Sequence, residues 1–254
     1  MSVIVPLQRM NRGSHFRAYS LRSDDMIAPF LGVDHAWMNG PTFPPHPHEG
    51  FSAVSYLFLD SETGINNRDN IGTHNLIRPG GLHWTTAGRG VIHEEVPAET
   101  GKTVHSLQIF VDLPPERKSI EPFPLMLEPQ DVPVVQLPGV KVRVPIGGFA
   151  DARSPLSPPT DVTMLDISLE EGAKLVMPVA ADHGAFVMPI FGTAVVNDQS
   201  FEHNDLQLPV FPAQGEPRAI VIQAPHGTAK VVLFSGRPLH AQTSSISKEF
   251  HHAL

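Results

Sequence analysis

The residues of this chain best equipped for chemistry gather in two stretches, Pro44-Pro45-His46-Pro47-His48-Glu49-Gly50-Phe51 and Gly90-Val91-Ile92-His93-Glu94-Glu95. In an extended strand, residues two apart share a face, so His46 and His48 converge on one point, as do His93 and Glu95. Two such pairs on facing strands predict a pocket of three imidazoles and one carboxylate. That donor set suits a divalent first-row transition metal, and with no cysteine in the chain it argues against a closed structural zinc site. Octahedral coordination by four side chains leaves about two positions for chemistry. Ligating imidazoles must be neutral, which predicts metal affinity that falls below pH ~6.5. The plain alternatives are a proline-stiffened loop with solvated histidines at 46 and 48, and an ion pair of Glu95 with Arg89.

Composition narrows what surrounds such a pocket. A chain of 254 residues, 41% of them hydrophobic, can bury a substantial core. Its 26 prolines and 20 glycines punctuate many short strands without producing a low-complexity stretch. With 18 basic against 26 acidic residues and a formal charge of -8, no basic footprint for nucleic acid is expected. The absence of cysteine excludes disulfides and a thiol nucleophile and fits a reducing compartment. No run approaches the ~20 apolar residues of a membrane span, and the Val3 to Leu7 run, broken by Pro6, is too short for a signal-peptide core. A cytoplasmic protein is the expectation, and His251-His252 reads as an exposed tail.

The positioning elements follow from alternation and turn signals. Phe51 to Leu59 reads as a buried strand, and Asn66 to Gly72 as a strand entering a tight turn. His74 to Arg78, Leu82 to Thr86 and Val91 to Val96, separated by Pro79-Gly80-Gly81 and Ala87-Gly88-Arg89-Gly90, form a meander. Leu107, Ile109 and Val111 alternate with Gln108, Phe110 and Asp112 up to Pro114-Pro115, where a ladder must end. Pro114 to Pro133 reads as the connection between domains.

Beyond it, Val140 to Ile146 is the cleanest alternating strand, and Arg153 to Thr160 is an exposed loop. Further strands are expected at Met164 to Leu169, Ala185 to Phe191, Ala194 to Asn197, Ala219 to Gln223 and Lys230 to Phe234. Leu107 to Pro114 and Val231 to Pro238 each run a strand into proline, a faint repeat. The prediction is all-β, with two tandem jelly-roll type β-barrels at residues 1–125 and 126–254.

Other residues have blander readings. His83, His74 and His105 are candidates to line the cavity, although single strand histidines usually serve packing. Phe43, Phe51 and Phe58 are candidates for an apolar approach to the metal. His183, His203, His226 and His240 contain no pair spaced two apart, so no second metal site is expected.

These residues resemble the pirin family of two-domain cupins. The resemblance is carried by His46-Pro47-His48-Glu49-Gly50-Phe51, Arg78-Pro79-Gly80, Trp84 to His93 and Leu107 to Pro114. In the second half only Phe234 to Leu239 and the strand rhythm match. It implies one metal site, in the N-terminal cupin barrel, with His46, His48, His93 and Glu95 at the ligand positions. Iron is the usual metal, and Mn, Ni, Co, Cu or Zn fit the same donors.

Three departures stand out. Glu49 occupies a position where pirins usually carry Arg, Glu94 one where a small residue is usual, and Asn67 one where His is frequent. Strand alternation points Glu94 away from the ligands.

The resemblance implies either of two functions. One is a metal-dependent dioxygenase of the quercetin 2,3-dioxygenase type, acting on an aromatic small molecule with Glu95 as the catalytic proton acceptor. The other is a non-catalytic regulatory protein whose metal or redox state is read by a protein partner. A sugar-isomerase-type cupin is chemically permitted by the ligand set.

Overall fold

A computed structural model describes residues 1–23 and 25–239. His240 and the His251-His252 tail lie outside them. Among the described residues the chain forms 24 strands and one short 3-10 turn, Pro115–Arg117. The all-β expectation therefore holds, and the proline and glycine content is spent on the turns between short antiparallel pairs.

In the first half, seven strands form one large sheet. Across it lie Phe123–Leu127, Leu82–Thr86, Phe51–Leu57, Val104–Asp112, Phe30–Met38, Phe16–Leu21 and Gln8–Arg12. A four-stranded sheet faces it, ordered His46–His48, Val91–Pro97, Ile65–Asp69 and His74–Ile77. The second half repeats the plan. Its large sheet runs Gln207–Phe211, Gly184–Phe191, Ala229–Gly236, Val162–Leu169, Val140–Ile146 and Val134–Leu137, with Val3–Pro6 added at the open edge. That first strand pairs antiparallel with Gln207–Phe211, Val3 opposite Val210, so the chain starts in the second half's sheet before entering the first.

Alternation along the strands explains how the halves meet. Val54 and Tyr56 on one strand, and Leu107 and Ile109 on its neighbour, point away from the first barrel's interior. They join a single apolar core with Met164, Phe186, Met188, Val232 and Phe234 of the second half. Phe186 and Phe234 stack with centroids 4.6 Å apart, and Phe30 of the first half meets both edge-on at 5.3 and 5.5 Å. Burial of this seam on both sides accounts for the nearly continuous apolar runs there. One polar cluster crosses it: the Tyr56 hydroxyl donates to Asp166 Oδ2 at 2.7 Å, while Lys230 Nζ lies 3.0 Å from Asp166 Oδ1. The buried carboxylate is thereby compensated.

The strands expected as a meander form, at His74–Ile77, Leu82–Thr86 and Val91–Pro97, but they do not pair in succession. Leu82–Thr86 crosses to the large sheet beside Phe51–Leu57, while His74–Ile77 and Val91–Pro97 both flank Ile65–Asp69 in the four-stranded sheet, because each turn carries the chain from one face of the barrel to the other. Pro114 to Pro133 contains more structure than a connection requires, because Phe123–Leu127 pairs with Leu82–Thr86 and extends the first large sheet. Gly88, in the turn before Val91, shows why glycine stands there: its φ is +50°, and a Cβ would fall 2.1 Å from the Ile120 carbonyl oxygen. Among the described residues no helix is long and apolar enough to cross a membrane.

Candidate metal centre

His46–His48 is the edge strand of the four-stranded sheet, so Pro47 removes a donor without breaking an interior ladder. It pairs with Val91–Pro97 in a register that sets His46 directly opposite His93, and His48 opposite Val91. The two histidine-bearing strands are thus hydrogen-bonded neighbours, where facing strands had been expected. Gly50, at φ +77°, bends the chain after His48, and its N–H donates to the Gly88 carbonyl at 2.8 Å. That bond ties the ligand strand to the turn leading toward His93.

The register brings three imidazoles together. Ring centroids of His46, His48 and His93 are 4.8, 4.8 and 4.7 Å apart, and one nitrogen from each lies within 4.8 Å of the other two. His48 Nε2 and His93 Nε2 approach to 2.9 Å. His46 Nδ1 lies 2.9 Å from the Pro44 carbonyl, which fixes the proton there and leaves the Nε2 lone pair free. Burial and the neighbouring imidazoles push the His48 pKa down to about 3. Burial, with His46 beside it, lowers His93 to about 4. These two rings are therefore neutral across the physiological range, as ligands must be. Their loss of affinity through protonation moves well below the pH ~6.5 expected for free imidazole.

His93 Nδ1 is buried without a hydrogen-bond partner, as is Oδ2 of Asp69, the residue directly opposite His93. Close-packed neutral nitrogens with few partners of their own form a donor set that a divalent transition metal fits.

Glu95 lies on the same strand as His93, but its carboxylate is not one of the three converging groups. Both its oxygens accept from the Ser55 hydroxyl, at 2.9 and 2.7 Å. Burial raises the Glu95 pKa, opposed by His83, the Ser55 hydrogen bond and His46. The ion pair with Arg89 considered above is not formed, since Arg89 meets Glu121 at 2.7 Å. Glu94 points outward and pairs with Arg68 at 3.0 Å, as alternation requires. Glu49 is exposed.

The remaining candidates divide. His83 is buried among polar side chains, with Nε2 3.0 Å from Thr85 Oγ1 and 3.4 Å from the Asn67 amide nitrogen, and Nδ1 3.3 Å from the Asn75 amide nitrogen. His74 is exposed and does not line the cavity. His105 is on the other face of its sheet, in the seam, where Nε2 lies 2.7 Å from His35 Nε2 and Nδ1 lies 2.8 Å from Asp60. Phe51 packs edge-on against His48 at 5.3 Å and against Phe110 at 5.7 Å, forming one wall of the site. Phe43 reaches His46 at 6.3 Å, whereas Phe58 packs in the seam against His35 and Tyr56.

Ser55, Gln108 and Asn75 were not anticipated. The available signal, for Ser55 and Gln108, was a polar residue in register with apolar ones on the same strand.

The pirin family model matches residues 9–111, and the model for the pirin C-terminal cupin domain matches residues 164–246. A pirin-like protein of Arabidopsis thaliana is 33% identical over 180 residues, 69% of this chain but only 57% of that relative's length. A solved structure from Geobacillus kaustophilus is 28% identical, covers 95% of this chain and 97% of its own, and superimposes with a TM-score of 0.85. The crystal structure of quercetin 2,3-dioxygenase from Acinetobacter baumannii is 26% identical, with a TM-score of 0.82 over 97% of this chain and 91% of its own.

Proposed function

Because the chain belongs to the pirin family and folds as two tandem cupins, we propose that it is a metal-dependent dioxygenase acting on a quercetin-like flavonol. The observation that carries this reading is the convergence of His46, His48 and His93 on one point inside the first barrel. The likeness to the Acinetobacter baumannii quercetin 2,3-dioxygenase supports the choice of reaction. Iron is the metal proposed.

His46, His48 and His93, with Glu95 as fourth ligand, would hold a divalent transition metal, which when bound would supply Lewis acidity and one-electron chemistry toward dioxygen. The chain's own groups do the rest. Phe51 and Phe110 give a planar aromatic substrate an apolar face beside His48 and keep water from that side. Asn67, Asn75 and His83 present hydrogen-bonding groups for substrate oxygens. Glu95, whose burial raises its pKa, accepts the phenolic proton. We take the first unit to run through Leu127, the end of its last sheet strand, with Val3–Pro6 lent to the second unit.

The test is oxygen uptake with quercetin on protein loaded in turn with iron, manganese and nickel. Uptake that requires both metal and flavonol is the expected result. Stoichiometric metal binding with no uptake under any loading would transfer the weight to a regulatory role read by a protein partner.

A further inference from the structure

We propose that Ser55, its hydroxyl oriented by Gln108, is the positioning residue that fixes the Glu95 carboxylate, the fourth ligand of the proposed site. The proposal rests on the reading that His46, His48 and His93 hold a metal. Ser55 is buried at the centre of the first large sheet, directly opposite Gln108 on one neighbouring strand and His83 on the other. These three inward side chains make a polar row in a sheet whose other inward positions include Ala53, Leu57 and Phe51.

Hydrogen-bond counting gives the row a direction. Ser55 Oγ lies 2.9 and 2.7 Å from the two Glu95 oxygens and 3.0 Å from Gln108 Oε1. A serine hydroxyl carries one proton, so it cannot donate both to the carboxylate and to an amide oxygen. Carboxamide oxygen and nitrogen exchange places on a half-turn of the group. With Gln108 turned, its N–H donates to Ser55 Oγ and the serine proton is free for Glu95. The sequence Gln108 to Ser55 to Glu95 then runs without a conflicting proton.

Cutting this support acts on the metal through Glu95 alone. Groups that orient a ligand typically contribute about 10–100-fold to metal affinity, and that is the loss expected for Ser55→Ala. Ser55→Thr keeps the hydroxyl and should stay within about threefold of wild type. Gln108→Leu removes only the orienting donor and should fall between the two.

The experiment titrates each chelated protein with Co2+ and records affinity and the visible ligand-field spectrum, with Glu95→Gln as reference. Thermal unfolding of each chelated variant checks that the fold is kept. The expected result is a Ser55→Ala spectrum displaced toward that of Glu95→Gln, with Ser55→Thr restoring the wild-type spectrum. A Ser55→Ala protein with wild-type affinity and spectrum overturns the proposal, as does a folded Ser55→Thr protein no better than Ser55→Ala. Failure of the wild-type protein to bind Co2+ at all would overturn the metal reading itself, and this proposal with it.

Discussion

The two barrels share a plan and differ in what fills them. The first interior carries the polar groups His46, His48, His93, Glu95, Ser55, Gln108, Asn67 and His83, with apolar packing limited to the Phe51–Phe110 wall and a small cluster of Met38, Leu57, Ile65, Ile77 and Val104. Inside the second, Val142, Val144, Leu165, Ile167, Val187, Phe201, Ile220 and Ile222 close the interior with hydrocarbon. A sheet pair needs only one well-filled interior and one well-filled seam to stand. The first barrel can therefore give its own interior to polar groups, because its outer face gains stability by joining the seam core with the second.

The sharpest test of that division is the ligand pair. His48→Ala combined with His93→Ala should lower transition-metal affinity by more than ~100-fold, measured as metal per chain after dialysis. His183→Ala in the second half should leave it unchanged. Full metal retention by the double variant would break the contrast at its root.

Acid should expose the same asymmetry in chelated protein. The folded first barrel keeps His48 and His93 neutral down to about 3 and 4, whereas the unfolded chain protonates both rings below about 6.5. The unfolded state then binds more protons, so stability is full above pH ~6.5 and declines as the pH falls toward about 4. The loss is on the order of 5 kcal/mol for the two rings together. Urea midpoints at pH 7 and pH 4.5, compared between wild type and His48→Ala/His93→Ala, read it directly. The double variant should lose distinctly less.

In the second barrel the expected consequence is structural. Ile220→Ala or Phe201→Ala removes a fully buried side chain and should cost about 2–5 kcal/mol by denaturant unfolding, with metal content per folded chain unaltered. The smallest effect belongs to the surface. Arg89→Ala loses an exposed pair with Glu121 and should change stability by under about 1 kcal/mol and leave metal affinity unmoved, as expected when Arg89 does not hold Glu95.

Much of this was legible in the chain itself. Alternation placed His46 with His48, and proline and glycine marked the turns between His74 and Val91, because side-chain period and backbone restriction are local properties. That Leu82–Thr86 crosses to the opposite sheet instead of forming a meander is a matter of long-range pairing and was not legible. The strand Val140–Ile146 was visible for the same reason. Lys174–Val179 and Gln207–Phe211 were not foreseen, each carrying a proline within a short alternating run.

At the site, the imidazoles could be read from spacing, but the partners of Glu95 could not. Ser55 and Gln108 reach it through sheet register, and register joins residues that are remote in sequence. His105 misled for the reverse reason: it lies one position from the inward-facing Ser106 and Val104, and that single step turns it into the seam beside His35.

The pairing of Val3–Pro6 with Gln207–Phe211 has a consequence for how the molecule is made. On the ribosome Val3–Pro6 emerges before the other strands of either unit, yet its hydrogen-bonding partner Gln207–Phe211 is synthesised only after most of those strands. Until then that segment dangles, and the later sheet lacks an edge strand. The two units should consequently complete their folding together as one late cooperative event, rather than as independent beads released in turn.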